Sequence, residues 1–479
     1  MTTKQKLPFQ FWIIWIIELW ERFGYYAVQG IIPYYFVKHL GYSESVSIVT
    51  FGSFSAFVYG FNYIGGWLGD HVIGAKRMIM IGAFILFCAY ALLTISHADT
   101  VFYALGAIVV GNSLFKANPS SLISKMFEKG KEQHLLDSAV TLYYMAINVG
   151  SMISMIITPI VAQEISYNAA FSVAAIGLSI GLLGYLGMYS KLGAIGTPAD
   201  NKPLNAVKLL AIIVVSLISV FVVAKLLTHP SLVSAIVWTI AVIGFIYFIY
   251  LSFKYKKQQR DRMLVALFLI ACGILFFVLY NQQPTTLTFL AESGVDRVFF
   301  GYELPAPIYQ VLNPVVIIVM SFVFTKFFYP YWKLSHSQKF AIGFWLSGIA
   351  FGLMYLMNFL NDGQGHVSNW FLFLNYLFQS TSELLISGLG IAMVAELCPR
   401  AMSGFVTGLW FVSAMVAGPV SAWVGNFTTS ESIISNQERL YLYANTFGLI
   451  GLGTLIVGIL LWVFSGSLNK IIGHGAYVE

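Results

Sequence analysis

Charge is scarce in this chain. Asp, Glu, Lys and Arg make up 10% of its 479 residues, against about 25% in an ordinary water-soluble domain. That excludes a soluble globule, and the 58% of hydrophobic residues must face something other than water. Cysteine is nearly missing. Cys88, Cys272 and Cys398 are far apart, so no disulfide framework or thiolate metal site follows from spacing. No GxxxxGK[ST] run occurs, which excludes nucleotide hydrolysis by a phosphate loop. Histidine is sparse. His39, His71, His97, His134, His229, His336, His366 and His474 fall in or near loops, which leaves no Ser/His or His-metal constellation for an intramembrane enzyme. No small-residue cleavage site follows the apolar run after Lys4 and Lys6, so that run reads as a retained first span rather than a signal peptide.

What the chain has is hydrophobic length. Roughly fourteen stretches are long enough to cross a bilayer as helices. They lie near 9–38, 46–69, 76–96, 99–127, 135–162, 167–190, 205–227, 231–253, 261–291, 301–328, 337–358, 368–396, 401–427 and 441–466. The net charge of +6 sits in short loops. Lys76, Arg77, Lys125, Lys129, Lys131, Lys191 and the basic run 254–262 fall on one side with Lys4 and Lys6. That side is cytoplasmic by the positive-inside rule, with both termini on it, and nucleic acid is not a partner. A Gly/Pro-rich break at 191–204 and the basic run bracket a hairpin almost without polar residues. The expected organisation is an all-α polytopic membrane protein: residues 1–190 as one six-helix bundle, 191–260 as linker and inserted hairpin, and 261–479 as a second six-helix bundle.

Against that background the polar residues stand out. Glu18, Glu21, Arg22 and Tyr25 fall at i, i+3, i+4 and i+7, on one face of the first span. Each charge costs roughly 2.5–3.5 kcal/mol at mid-membrane, so the face must meet protein or water. Glu18 reaches Arg22 four residues on, and Glu21 makes two carboxylates for one arginine. The surplus carboxylate is a candidate proton carrier. Lys116 lies within the fourth span, in Gly111-Asn112-Ser113-Leu114-Phe115-Lys116-Ala117-Asn118-Pro119. Its natural roles are partner to a first-span glutamate and anchor for a substrate carboxylate. Asn148 lies in the fifth span. With the hairpin left out of the count, the seventh span holds Asn281-Gln282-Gln283-Pro284 and the eighth Asn313-Pro314, both expected breaks. Glu383, in the tenth, has no basic residue at i±3 or i±4. Gly65-Gly66-Trp67-Leu68-Gly69-Asp70, with Gly74 and Lys76-Arg77, resembles the loop signature of the major facilitator superfamily. Asp70 is expected to pair with Lys76 or Arg77 as a latch and to cap a helix end.

The layout is asymmetric: Arg22 and Lys116 in one half, Glu383 in the other. A zwitterion of two or three extended residues, about 7–11 Å long, suits it. Tyr25, Tyr26 and Tyr59 offer amphipathic walls.

These residues resemble a known family. Glu18-x-x-Glu21-Arg22-Phe23-x-Tyr25-Tyr26 is similar to the ExxERFxYY motif of the proton-dependent oligopeptide transporters, in the major facilitator superfamily. Tyr143-Tyr144-x-x-Ile147-Asn148-x-Gly150-Ser151 is similar to the family's FYxxINxGS signature, and Ser382-Glu383-Leu384 to its GEL element. The resemblance covers essentially the whole chain, and the inserted hairpin looks like that of bacterial members. It implies a proton-coupled symporter of the bacterial cytoplasmic membrane, not an enzyme, that imports di- and tripeptides and peptide-like drugs by alternating access. It implies the proton as coupling ion, no cofactor or metal, and a monomer in the lipid bilayer. Glu18 and Glu21 would handle protons, and Arg22 and Lys116, assisted by Tyr26, would hold the peptide carboxylate. Asn148, Asn313 and Glu383 would hold its amino end, and Tyr25, Tyr59, Phe277 and Trp410 would line pockets. Gln282 stands where many members carry a glutamate and is expected among the substrate-binding residues, so Lys116 is expected to lean on Glu21. The loop near Asn361–Val367 is too short for the large extracellular domain of animal relatives. Pro284, Pro314 and Gly388-Leu389-Gly390 are candidate bending points. Drug export, nitrate or amino-acid uptake, and peptide sensing without transport remain as rival functions.

Overall fold

The first helix, α1 (Phe9–Lys38), runs for 30 residues without a break. At 1.5 Å per residue it is about 45 Å long, enough to cross a bilayer. The computed structural model describes residues 7–127, 135–193, 195–328, 331, 334–388, 390, 394, 396–429 and 435–473. The expected cytoplasmic termini, Lys4, Lys6, Lys129, Lys131, His134, Leu389 and His474 lie outside the described residues.

Nearly every described element is helical. After α1 come α2 (Glu44–Gly60), α3 (Asn62–His71), α4 (Ala75–Leu93), α5 (Val101–Phe115), α6 (Ala117–Phe127), α7 (Leu136–Glu164) and α8 (Tyr167–Met188). The inserted pair is α9 (Ala206–Leu227) and α10 (Pro230–Ser252). Then follow α11 (Lys257–Tyr280), α12 (Thr286–Gly294), α13 (Leu312–Val323), α14 (His336–Gly352), α15 (Trp370–Glu383), α16 (Ser403–Asn426), α17 (Asn436–Val463) and α18 (Ser465–Gly473). One small hairpin, β1 (Val298–Phe299) and β2 (Tyr302–Glu303), joins α12 to the next span.

Among the described residues, 11 helices are long and apolar enough to cross a membrane. Three further expected spans depart from that pattern, each for a visible reason. The first, α1, carries Glu18, Glu21 and Arg22 in its middle. The second is interrupted at Phe61, between α2 and α3. The third, α15, passes at Leu384–Gly388 into a π turn. A second π turn, Phe324–Phe328, follows α13.

The breaks follow local chemistry. Pro284 cannot donate to the ladder, and the chain turns through 281–285 between α11 and α12. Pro314 is the third residue of α13, where its missing N–H costs nothing. The irregularity lies just before it, in a tight 3-10 stretch, Ala306–Val311.

The helices gather into two compact units. The first draws on Met1–Leu40 and Phe57–Pro230, the second on Gly41–Ala56 and Ser231–Glu479. Lipid removes the hydrophobic drive between helices, so close packing must hold them. In the first unit α1 lies against α7 and α8. A Cβ on Gly150 would strike the Leu19 carbonyl, and one on Gly181 would strike the Trp20 side chain. Helix α9 packs on α5, with Gly106 against the Val220 carbonyl. In the second unit α14 packs on α17 and α11 on α16. There α10 contributes Phe248, stacked on Phe405, to a core with Leu269, Phe344 and Trp410.

Candidate functional site

In the first unit the polar face of α1 is buried whole. Glu18 and Glu21 have no exposed surface and Arg22 has 3%. The Arg22 guanidinium grips its neighbour Glu21 as a fork, with Nε donating to Oε2 at 2.5 Å and Nη2 to Oε1 at 2.7 Å. Nη2 also donates to Asn112 Oδ1 at 3.0 Å, and Asn112 donates onward to Asn62 Oδ1 at 3.1 Å. Glu18 is held at longer range, 3.5 Å from Arg22 Nε and 3.9 Å from Lys116 Nζ. The Tyr143 hydroxyl stands beside it.

One sequence expectation holds here and one is corrected. The i,i+4 pair exists, but the tight grip belongs to Glu21 and the looser one to Glu18. Lys116 leans on Glu18, not Glu21. The reason is placement. Lys116 caps the end of α5, where the fourth span turns before α6, and its side chain is 31% exposed. It therefore approaches the cluster from the accessible side, while Glu21 is covered by Arg22.

The tyrosines gather at the same place. Arg22 lies 4.9 Å from the Tyr25 ring centre, Tyr25 packs edge-on to Tyr26, and Tyr59 is near Tyr25. Asn148 is not drawn into this network, because its amide donates back to the Tyr144 carbonyl of its own helix at 3.0 Å. Asn62, Asn112 and Tyr143 are members that sequence reasoning missed. The last two already stood in quoted motifs, and a buried amide next to a charged face was the available signal.

In the second unit Glu383 and Asn313 come together. Asn313 Nδ2 donates to Glu383 Oε2 at 2.8 Å and to Ser380 Oγ at 3.0 Å. Glu383 ends α15, and the π turn that begins at Leu384 follows it. Such turns insert one extra residue and are frequent at functional sites. Their positions were not visible in the hydropathy.

Other expected pocket residues are committed to protein. Gln282 is fully buried. Its Nε2 donates to the carbonyls of Val278 (3.0 Å) and Ser421 (3.2 Å), and its Oε1 accepts from Thr286 at 2.7 Å. It stitches α11 to α16. Trp410 is 1% exposed and sits in the core, edge-on to Phe277 at 6.0 Å and packed over Gly273 and Gly390.

The expected latch has different partners. Asp70 meets neither Lys76 nor Arg77. It accepts from Ser121 Oγ at 3.2 Å and lies 4.0 Å from Lys125 Nζ. The start of α4 is capped instead by Asp200, far along the chain. Asp200 accepts from the backbone N–H groups of Ala75 (3.0 Å), Lys76 (3.2 Å) and Thr197 (2.9 Å). Lys76 donates to the Gly193 carbonyl at 3.0 Å and Arg77 to the Lys202 carbonyl at 2.9 Å. The Gly/Pro-rich linker is therefore pinned to the α3–α4 turn.

Comparison with known proteins gives a consistent answer. A family model described as the POT family matches residues 76–440. Dipeptide and tripeptide permease B of Xenorhabdus bovienii is 38% identical over 471 residues, which cover 97% of this chain and 96% of that protein. A solved bacterial homologue of the human drug peptide transporters superposes with a TM-score of 0.86 at 32% identity, covering 96% of this chain and 99% of its own. Another neighbour, crystallised as a tetramer, has a TM-score of 0.85 at 32% identity and covers 96% of this chain and 98% of its own. These relatives are membrane permeases rather than enzymes, and the chain shares their all-α major facilitator fold. With most of its length matched by the family model and nearly all of it by the permeases, the chain belongs to the POT family.

Proposed function

We propose that this protein is a proton-coupled symporter that imports di- and tripeptides across the bacterial cytoplasmic membrane. The observation that carries the proposal is the buried cluster in which Glu18, Glu21, Arg22 and Lys116 meet. Two carboxylates and two cations balance. A proton on one carboxylate leaves one positive charge over, and a peptide carboxylate cancels it. Binding of proton and peptide carboxylate are thereby linked through a single charge count. In a water-poor site an unbalanced charge is costly, so each of the two favours the other.

We assign the peptide carboxylate to Arg22 and Lys116, with Tyr26 assisting, and its amino end to Glu383 and Asn313. Tyr25 and Tyr59 contact side chains. Asn148 joins the amino-end set only on rotation away from Tyr144. The two six-helix bundles, 1–190 and 261–479, alternate access, with α9 following α5 and α10 following the core of the second unit. The proton is the coupling ion and no cofactor takes part. Each proton carried in with a zwitterionic peptide brings one positive charge inward, so the membrane potential adds about 2.3 kcal/mol per charge per 100 mV, and both termini are assigned to the cytoplasm. One chain supplies every assigned residue, which makes the monomer the transport unit. The relatives' name, dipeptide and tripeptide permease, supports the substrate class.

The test is uptake of radiolabelled dipeptide into proteoliposomes with and without an imposed pH gradient. Accumulation should require the gradient, and unlabelled dipeptides should compete where single amino acids do not. Binding without flux would establish a sensor instead.

A further inference from the structure

The hairpin between α12 and the span at Ala306–Phe328 breaks a local rule. Val298 pairs with Glu303 and Phe299 with Tyr302, so Phe300 and Gly301 form a two-residue turn. Both have positive φ, 51° and 82°. Such turns ordinarily take Asn, Asp or Gly at the first position, because a Cβ there is crowded. Among the described residues Phe300 is the one non-glycine with positive φ. It is also 97% exposed, and Val298 and Phe299 flank it at 56% and 57%. The turn thus carries strain to hold a phenylalanine outward, where Asn would have been both easier and more soluble.

The base of the hairpin is braced by charge. Arg297 pairs with Glu292 at 2.9 Å and Glu303 at 2.6 Å, and donates to the Leu304 carbonyl at 2.6 Å. Asp296 accepts from the Val298 N–H at 3.1 Å. The element is therefore polar at its root and aromatic at its tip. Two residues, Leu304 and Pro305, separate it from an apolar span that starts at Ala306. Two extended residues reach about 7 Å, and the polar layer on each side of the hydrocarbon is roughly 5–8 Å deep. The tether is short enough to keep the root of the hairpin at that layer, and strands only two residues long let the tip lie along it.

The geometry points to a membrane-interface anchor. The β1–β2 hairpin inserts Phe299 and Phe300 among lipid headgroups and upper acyl carbons, where aromatic rings partition well. The partner is the bilayer itself rather than a peptide or a second copy. By holding the start of the following span at fixed depth, the hairpin gives that span a reference against the bilayer.

The test uses the full-length protein in liposomes, with fluorophenylalanine incorporated at position 300 and, as an aqueous reference, at position 364. Fluorine relaxation is read with dissolved oxygen, which concentrates in lipid, and with a water-soluble gadolinium chelate. Position 300 should show an oxygen-to-chelate ratio severalfold above that at 364. In a Phe300→Asn variant, which suits the turn, a label at position 299 should shift toward the aqueous ratio. Equal ratios at 300 and 364 would overturn the proposal. So would a label at 300 that neither reagent reaches, because the tip would then be covered by protein.

Discussion

Replacing the two first-span glutamates one at a time separates the roles that the geometry gives them. Glu18→Gln and Glu21→Gln remove the same charge from the same buried cluster. Each variant is relieved of its own desolvation, and each leaves the same excess positive charge. They differ in hydrogen bonding. Glu21 accepts two short charged bonds, at 2.5 and 2.7 Å, whereas Glu18 stands 3.5 and 3.9 Å from its cations, outside bonding range. A glutamine at 21 keeps one neutral acceptor and places an amide N–H against the guanidinium. The difference is about one to two charge-assisted bonds, or ~2–4 kcal/mol of extra destabilisation for Glu21→Gln. Thermal unfolding in detergent should therefore rank Glu18→Gln well above Glu21→Gln. If, as we propose, Glu18 is the carboxylate that takes up the coupling proton, because Arg22 holds it less tightly than Glu21, Glu18→Gln should keep peptide counterflow and lose pH-driven accumulation. Equal melting midpoints for the two variants, or gradient-driven uptake by Glu18→Gln at the parent rate, would refute the assignment.

Three further outcomes follow from the same coordinates. Asp200→Ala removes the acceptor for the Ala75, Lys76 and Thr197 N–H groups; a lost cap with charged acceptors should cost about 2–4 kcal/mol. Amide exchange at 75 and 76 should speed up, with Asp200→Asn in between. Glu383→Gln should weaken competition by dipeptides with a free amino end about tenfold or more, as the loss of one charged hydrogen bond predicts, and leave N-acetylated peptides unchanged. Finally, the Asp362 carboxylate accepts the backbone N–H groups of His366 and Gln364 and faces the His366 ring, which holds it below the ordinary carboxylate range. That depressed value adds loop stability which is present above the unfolded value of about 3.9 and lost as pH falls through the folded one. Protection of the Gln364 and His366 amides, taken relative to the intrinsic exchange rate at each pH, should fall on acidification below about pH 4, and unchanged protection would contradict it.

Periodicity made the charged face of α1 legible, because only one helical face can bury four polar residues in a membrane. The break at Pro284 was legible for the same kind of reason: a missing donor ends a ladder wherever it sits. The pairing of Asn313 with Glu383 could be anticipated as two intramembrane polar residues that need partners. Which carboxylate Arg22 would grip was not legible. Glu18 and Glu21 both lie within reach on the helix, and the choice rests on the rotamer that Asn112 fixes from α5. The packing of Trp410 was not legible, because an aromatic residue near a polar span reads equally as wall or core. Only the packing over Gly273 and Gly390 decides it. The π turns depend on hydrogen-bond register, to which hydropathy is blind.

The latch shows most clearly why spacing alone misleads. Asp70 sits at the C-terminal end of α3, where the helix dipole disfavours a carboxylate, so it turns to Ser121 and Lys125. The first turn of α4 presents unpaired N–H groups and needs an acceptor, yet Lys76 and Arg77 there can only donate. An outside segment must supply the carboxylate and also take the two cations. Residues 193–202 do both, with Asp200 on the N–H groups and the carbonyls of Gly193 and Lys202 on the side chains. Gly74, at φ 103° and packed against Asp200, leaves no room for a side chain between them. A Gly/Pro-rich stretch that reads as slack is therefore a clip closed by reciprocal need. Any motion of the α3–α4 turn must carry the linker along or break both hydrogen bonds from Ala75 and Lys76 to Asp200 at once.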